Sequence, residues 1–432
     1  MERSVLKEIF YSALQAVSSY ETVRIHCARI MSFSRTVGFK RLFVVGFGKA
    51  ACPIAKATED SFGDLIETGS VITKYGHCSN YLLKHVRVYE AGHPVPDKNG
   101  LDGTEEIVRL LRDAGDDTLV VCLISGGGSA LLVSPPEGIS LAEKQEITVL
   151  LLRSGADIHE LNTVRKHISR VKGGRLAEIA YPAHVISLII SDVIGDRLDV
   201  IASGPTSADH STYADALSVL EKYRLMDVCP ESIFTHLSRG AKGLLHETPK
   251  EGDVIFERVE NTIIGNNQMA IEAAKKKAEE MGFHAEILST AVSGEARNVG
   301  KRLAREAMEI RKARSAGRPI CLISGGETTV TVHGNGRGGR NMELALAFAI
   351  EVEGIDGITL LSAGTDGTDG PTDAAGAIVD GQTTRKARNL GLDPETYLRH
   401  NDSYTFFKRI GELFITGPTG TNVMDVQMVV IK

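Results

Sequence analysis

The sequence predicts two different α/β domains with a cleft between them, the first Rossmann-like with a mostly parallel sheet. Continuous apolar strands alternate with helical patterns, which is typical of a sheet covered by helices on both faces. The alternation resumes after a polar stretch with Pro and Gly, residues 246–253, a composition that marks a domain boundary. The 432 residues suffice for two or three domains. We expect the domains at residues 1–245 and 254–432.

Apolar spacing predicts the elements of the first domain. A helical period runs through much of the first forty positions, and helices are also predicted over residues 50–59 and 102–111. Short apolar runs rich in β-branched residues predict the strands, at residues 42–45, 71–73, 86–89, 118–124 and 184–190.

The same patterns predict the elements of the second domain. Helices are expected over residues 268–281, 295–315 and 341–351. Strands are expected at residues 259–264, 284–288, 320–323, 328–332, 358–361, 413–416 and 423–431.

Composition excludes several classes of protein. Hydrophobic residues make up 42% and charged residues 24%, which is ordinary for a soluble globular protein. The formal charge of −6 disfavours nucleic acid as a partner. No apolar run approaches the ~18 residues of a membrane span, and the N-terminus lacks a secretion signal, so we expect a cytoplasmic protein with no membrane partner. Cys52, Cys122 and Cys321 are expected to be buried thiols of a reducing compartment.

A glycine loop, Gly46-Phe47-Gly48, lies between the first strand and a helix. With Lys49 and two alanines it fits G-x-G-x-x-A, the pattern of a dinucleotide-binding turn in that context. Gly46 and Gly48 allow a tight turn, and the helix N-terminus offers unpaired N–H groups. Lys49 adds a positive charge, which favours a multiply charged anion such as phosphate. The simpler alternative is a strand–helix turn with a solvated lysine.

A second glycine loop follows the strand at residues 118–124, and its amides and hydroxyls can converge on an anion. The letters of residues 122–127 recur as residues 321–326, so both halves of the chain present the same kind of loop. The phosphate-binding residues predicted from the two segments are Ser125, Gly126, Gly127, Gly128, Ser129, Gly325, Gly326 and Glu327.

Charged side chains follow later strands and loops. Arg337 and Arg340 lie on a glycine loop before a helix, where an arginine can bind carboxylate or phosphate through two hydrogen bonds. Asp192 follows a buried strand, where its carboxylate can accept a hydroxyl proton or hold Mg²⁺. Asp366 and Asp369 lie in an acidic loop and are predicted metal ligands, although turn formation alone would also explain these acids.

Taken together, these segments resemble the motifs of the MOFRL-type glycerate kinases, the glycerate 2-kinase family. The resemblance runs in order from about residue 42 to the C-terminus and rests on VGFGKAA, AGHPVPD, LISGGGSALL, LNTVRKHISRVKGGRLA, SDVIGDRLDVIASGPT, SGGETTVTV, GRGGRNMELALA, SAGTDGTDGPTDAAGA and GPTGTNV. It implies Mg²⁺-dependent transfer of a phosphoryl group from ATP to the 2-hydroxyl of D-glycerate in the cleft between the domains. It also implies a catalytic set of Lys49, Asp192 and either Arg337 or Arg340, the latter slightly favoured because it begins a helix.

Two other functions stay open from the residues alone. The G-x-G-x-x-A loop also suits an NAD(P)-dependent hydroxypyruvate reductase, with Asp64 or Glu67 as the acid that binds the ribose. A reductase leaves the second Ser-Gly-Gly segment unexplained. A non-catalytic binding protein for an acidic metabolite is the other alternative, but it has little use for Asp192 in the site. The expected partners are ATP and D-glycerate, and a homo-oligomer is also left open.

Overall fold

The structure is a computed structural model that describes residues 2–313 and 317–432. The chain forms two compact units, one of Ser19–Ile264 and one of Met1–Ser18 with Gly265–Lys432. Each unit is built on a six-stranded sheet. In chain order the strands are β1 (Arg41–Phe47), β2 (Thr68–Lys74), β3 (Val86–Ala91), β4 (Thr118–Ile124), β5 (His184–Ile190), β6 (Val259–Gly265), β7 (His284–Val292), β8 (Ile320–Gly326), β9 (Ile358–Gly364), β10 (Gly376–Asp380), β11 (Leu413–Phe414) and β12 (Asp425–Ile431).

Helices connect and cover these strands. In chain order they are α1 (Glu2–Ala16), α2 (Ser19–Val37), α3 (Ala51–Phe62), α4 (Lys98–Arg112), α5 (Gly128–Leu131), α6 (Leu141–Arg153), α7 (Ile158–His167), α8 (Arg175–Ala180), α9 (Tyr213–Lys222), α10 (Glu231–Ala241), α11 (Asn267–Glu280), α12 (Ala296–Ala313), α13 (Arg340–Glu351), α14 (Thr383–Asn389), α15 (Pro394–Arg399) and α16 (Ser403–Ile410). Among them none combines the length and the apolar character that crossing a lipid bilayer requires, as far as the described residues show.

The first sheet, in the unit Ser19–Ile264, has the strand order β3-β2-β1-β4-β5-β6. Strands β1 to β5 pair in parallel. This is the order of a doubly wound α/β fold, so the Rossmann-like expectation is confirmed. Every residue of β4 is buried, as expected of a central strand whose two faces are covered.

The second sheet, in the other unit, has the order β11-β10-β9-β12-β8-β7 and is mixed. Strand β12 lies between β8 and β9 and runs antiparallel to both. The core against this sheet contains three fully buried rings, Phe348, Phe406 and Phe407. The two units are therefore different α/β folds, as predicted.

Helix α1 packs in the second unit, although the sequence placed it in the first domain. Its period of apolar residues buries one face, and the Phe10 ring lies 5.2 Å from the Phe414 ring, edge to face. The Arg3 guanidinium donates two hydrogen bonds to the Asp380 carboxylate, at 3.0 and 2.8 Å. An amphipathic pattern predicts that one face of the helix packs against another part of the protein, but not which part. Here that part lies far along the chain.

The predicted boundary at residues 246–253 is not a free linker. Thr248 is buried, and its hydroxyl donates to the Asp209 carboxylate at 3.0 Å, so this polar stretch is anchored inside the first unit. The strand predicted at residues 259–264 does form, as β6, but it borders β5 in the first sheet and does not begin the second series.

Three local expectations also change. Residues 328–332 form no strand, and only an isolated bridge joins Thr329 to Glu295. The helix predicted over 295–315 is α12, whose last predicted residues, 314 and 315, lie outside the described residues. Cys52 is not a free thiol, because the loop after β2 brings Cys78 to a Cα distance of 5.5 Å and the two form a disulfide. Cys122 and Cys321 are buried free thiols, as predicted.

Candidate active site

The carboxyl ends of β1 and β4 lie side by side at the point where the strand order of the first sheet reverses. The chain moves outward from β1 through β2 and β3 on one side, and from β4 through β5 and β6 on the other. In open α/β sheets, ligands bind in the crevice that forms at this switch point. Both predicted glycine loops of the first unit, residues 46–48 and 125–129, lie at these two strand ends.

The two glycine loops are tied together by short hydrogen bonds. The Lys49 N–H donates to the Gly126 carbonyl at 2.8 Å, and the Ala50 N–H donates to the Ser125 hydroxyl at 3.1 Å. Gly48 has a φ of +128°, and a Cβ there would lie 2.2 Å from the Ser125 Oγ. Glycine is therefore required at position 48 both by backbone conformation and by space.

Lys49 is the cation of this cluster. Its side chain is half-buried and its stem passes over the second loop, since a Cβ on Gly127 would lie 3.2 Å from the Lys49 Cγ. The Lys49 carbonyl lies 3.4 Å from the Thr73 hydroxyl and 3.2 Å from the His77 Nδ1, which holds the backbone in place. In the part of the chain that the structure describes, the Lys49 ammonium makes no hydrogen bond or ion pair. Its charge is available to a ligand.

The field around Lys49 is positive. The nearby His93 imidazole has its pKa lowered to about 4, first by burial and then by the positive charges of Lys49 and Lys74 and by His77. A histidine whose charged neighbours are all basic is held neutral at pH 7. The carboxyl edge of the first sheet is thus suited to bind an anion.

A strained loop supports the second glycine loop from behind. The Ser129 and Ser203 hydroxyls are 2.9 Å apart, and the Ser203 hydroxyl donates to the Asn162 amide oxygen at 2.9 Å. Ala202 and Ser203 have φ values of 51° and 63°, which non-glycine residues adopt only when their surroundings impose it. Sequence reasoning missed Ser203 and Asn162, because neither lies in a local pattern with Ser129.

Asp192 comes two residues after β5, the neighbour of β4 in the sheet. Strands β4 and β5 run in parallel, with Ile124 opposite Ile189, so Asp192 and Ser125 leave the sheet at the same edge. The Asp192 side chain is half-buried. Its position fits the prediction of a carboxylate beside the glycine loops.

In the second unit, the predicted glycine loop at residues 324–326 is the end of strand β8. Gly325 and Gly326 continue the pairing with β12 on one side, and Gly326 also pairs with β7 on the other. A Cβ on Gly325 would lie 2.1 Å from the Asn267 amide oxygen. The recurrence of letters therefore does not produce a second open loop, because the neighbouring strands extend the sheet through these residues.

Arg340 is neutralised within its own unit. Its guanidinium donates to both oxygens of the fully buried Asp425 carboxylate, at 2.6 and 2.9 Å, and lies 2.7 Å from a Glu327 oxygen. The pKa of Arg340 is raised: burial opposes the charge, but the bonds to Asp425 and the charge of Glu327 more than offset it. Arg340 and Glu327, both predicted site residues, are thus brought together as an ion pair.

Arg337 differs from Arg340 in almost every respect. Its side chain is exposed, its guanidinium donates to the Pro371 carbonyl at 3.1 and 2.9 Å, and it lies 4.9 Å from the centre of the Tyr404 ring. No ion pair is formed by Arg337 within residues 2–313 and 317–432. Of the two arginines, Arg337 is the one whose charge is exposed and not balanced by a carboxylate among the described residues.

The acidic loop of the second unit caps helix α13. The buried Asp369 carboxylate accepts hydrogen bonds from the Asn341 and Met342 N–H groups, at 3.1 and 2.8 Å, and burial raises its pKa to about 7. Asp366 accepts from the Thr368 N–H at 3.0 Å. Among the described side chains, no group of three or more His, Cys, Asp or Glu is placed to bind a metal ion. A metal role for Asp366 and Asp369 stays a prediction that these contacts do not favour.

Comparisons with known proteins match both units. The family model described as a domain of unknown function, DUF4147, matches residues 5–238, and the MOFRL family model matches residues 320–425. The D-glycerate 2-kinase of Thermotoga maritima is 51% identical, with 89% of each chain covered. A crystal structure of the glycerate kinase of that organism has a TM-score of 0.88 at 47% identity and covers 99% of both chains. A relative from Agrobacterium vitis, 43% identical over 90% of this chain and 87% of its own, carries hydroxypyruvate reductase as a provisional name.

Proposed function

Because this chain belongs to the MOFRL-type glycerate kinase family, we propose that it transfers a phosphoryl group from ATP to the 2-hydroxyl of D-glycerate. One observation supports this most directly: the half-buried ammonium of Lys49 lies unpaired among basic groups beside two glycine loops. Phosphoryl transfer requires mainly positioning and neutralisation of charge, and this cluster offers both.

We assign the phosphate groups to the second glycine loop of the first unit. The N–H groups of Gly126 and Gly127 donate to no protein acceptor in the described chain, so they are free to bind oxygen atoms. Consecutive amides in such a turn form a concave site for anions. Lys49, over Gly127, would neutralise the charge that develops on the transferred group.

Asp192 is proposed to orient the attacking hydroxyl and to accept its proton. Its place after β5 puts a carboxylate at the same sheet edge as the phosphate-binding amides. In the second unit, Arg337 is proposed as the arginine that binds substrate, since Arg340 is already paired with Asp425 and Glu327. This choice reverses the slight preference that helix position gave to Arg340.

Mg²⁺ is expected to arrive with the nucleotide. Magnesium keeps several waters and is usually held by substrate phosphates with one or two carboxylates, so a preformed cluster of acids is not needed. Asp192 fits as one such carboxylate, because it is half-buried at the proposed phosphate edge. When bound, the ion would neutralise phosphate charge.

The NAD-dependent form of the reductase alternative lacks the acid it requires. Glu67 lies at the opposite, amino-terminal edge of β2 and is paired with Arg41 at 2.7 Å, and Asp64 also precedes that strand. The carboxyl end of β2, where an NAD-binding fold carries its acid, is occupied by Lys74. A basic residue there does not suit the adenosine ribose hydroxyls of NAD, so the test below includes NADPH as well as NADH.

The test is to identify the product. Purified protein is incubated with D-glycerate, ATP and Mg²⁺, and phosphorus NMR distinguishes 2-phosphoglycerate from 3-phosphoglycerate. The same protein with hydroxypyruvate and NADH or NADPH tests the reductase, and Lys49→Met is the matched control for contaminating kinase. We expect 2-phosphoglycerate in proportion to ADP. Oxidation of the nicotinamide cofactor, or ADP without a phosphorylated glycerate, would contradict the proposal.

A further inference from the structure

His93 lies in the loop after β3 and faces the proposed phosphate-binding amides. A Cβ on Gly127 would lie 3.0 Å from both Nε2 and Cδ2 of the ring, so the imidazole edge rests against the Gly127 Cα. The side chain is half-buried. Neither ring nitrogen has a hydrogen-bond partner among residues 2–313 and 317–432. Its hydrogen-bond donor and acceptor are therefore available to a ligand at this edge of the sheet.

The side chains of His93 and Lys49 both approach Gly127 in the second glycine loop. The Cβ position that is 3.0 Å from the His93 ring is 3.2 Å from the Lys49 Cγ, so both side chains converge over Gly127. Gly127 itself has a φ of +84°, and in the described chain the N–H groups of Gly126 and Gly127 have no backbone acceptor. A ligand oxygen at this place would lie beside the imidazole and the backbone N–H groups, next to the stem of the Lys49 side chain.

We propose that His93 is a substrate-binding residue, whose neutral imidazole donates a hydrogen bond to the oxyanion held by Lys49 and the Gly126–Gly127 amides. The inference rests on the proposed function. The oxyanion is either a phosphate of ATP or the carboxylate of D-glycerate. These two share the same chemistry, and separate Michaelis constants distinguish them.

The surroundings of His93 give the site a pH signature. The groups that act on its imidazole are Lys49 from the turn after β1, Lys74 from the end of β2 and His77 from the loop that follows. Burial and these basic groups keep its pKa near 4. A bound anion offsets the positive charges, so it raises the pKa of His93 and the protein takes up a proton on binding. The affinity for an anion that does not itself titrate therefore rises as the pH falls toward 5.

The kinetic test compares two substitutions of similar size. His93→Gln keeps a neutral donor, whereas His93→Phe keeps a ring of similar bulk but cannot donate. We expect His93→Phe to raise the Michaelis constant of one substrate about 10- to 100-fold, the range for a lost hydrogen bond to a charged group, and His93→Gln to recover most of it. His26→Gln in α2 is the matched control, because burial and Arg29 also lower the pKa of His26, away from the glycine loops.

A binding test keeps the inference separate from the activity. Sulfate, which stays a dianion from pH 5 to 8, is titrated into the unmodified protein while NMR follows the His93 ring. We expect sulfate to raise the pKa of His93 and to bind more tightly at pH 5 than at pH 7, with less pH dependence in His93→Gln. If the enzyme lacks kinase activity but sulfate still shifts His93, only the proposed function fails. An unchanged His93 pKa at saturating sulfate, or full activity of a folded His93→Phe variant, would overturn the inference.

Discussion

Replacing Arg337 and Arg340 separately should give opposite results, although the two lie three positions apart on one loop. Arg340→Gln removes the bidentate partner of Asp425, whose side chain is 0% exposed. Removing one member of a buried ion pair costs ~3–5 kcal/mol, because the other charge stays buried. The Arg340 side chain is 33% exposed, so water can partly replace it, and we expect the lower end of this range, about 3 kcal/mol. In a unit of this size that corresponds to a fall in Tm of about 6–12 °C.

Arg337→Gln should leave the Tm within a few degrees, because its exposed contacts with the Pro371 carbonyl and the Tyr404 ring contribute only ~1 kcal/mol. Its kcat/KM should fall about 10²- to 10³-fold, the loss expected for one preorganised charge. Thermal melts and urea titrations of both variants, with ADP release measured below the melting range, supply the comparison. Asp425→Asn added to Arg340→Gln should restore part of the lost stability, since the fully buried carboxylate that lost its partner is then removed. Parent-like stability of Arg340→Gln, or full activity of Arg337→Gln, would show that the roles are assigned the wrong way round.

Three further results are expected. Lys49→Met should lower kcat/KM about 10²- to 10³-fold with an unchanged melt, because the ammonium has no protein partner to lose; a parent-like rate would remove it from the site. Cys78→Ser opens a disulfide that spans 26 positions and should cost ~3–4 kcal/mol in urea titrations, matching the effect of a reductant on the parent protein. The pKa of Asp369, about 7, lies above its unfolded value of 3.8, so the stability it contributes falls as pH rises from 4 to 7. The urea midpoint of Asp369→Asn should therefore fall less between pH 4 and pH 7 than that of the parent protein. Equal falls in the two proteins would contradict this assignment.

Local patterns account for what could be predicted at the first sheet. The passage from strand to glycine turn to helix around Gly46, Gly48 and Lys49 is contained in a few residues, and so is the loop of Ser125. Since carboxyl ends of parallel strands share one edge, the neighbourhood of these loops and Asp192 followed from topology alone.

Contacts between distant segments account for what could not. The ion pair of Arg340 and Asp425 joins residues 85 positions apart, and no sequence pattern near either residue predicts it. The residues around Gly325 have the same letters as those around Gly126. Strand β12 pairs with Gly325, however, and does not pair with Gly126. The apolar face of α1 predicts that the helix is buried against another element, but it does not predict which one.

The placement of α1 has a consequence for synthesis. Roughly 250 residues separate Ala16 from Asn267, where the helix that covers α1 most extensively begins. While the ribosome makes those residues, the nascent chain carries an uncovered apolar stripe at Leu6, Ile9, Phe10 and Ala13. The Rossmann-like unit can complete its sheet during that interval, whereas its companion must wait for segments that are translated far apart. A chaperone that shields the early helix would therefore raise the yield of folded protein, and a bulky N-terminal fusion would lower it.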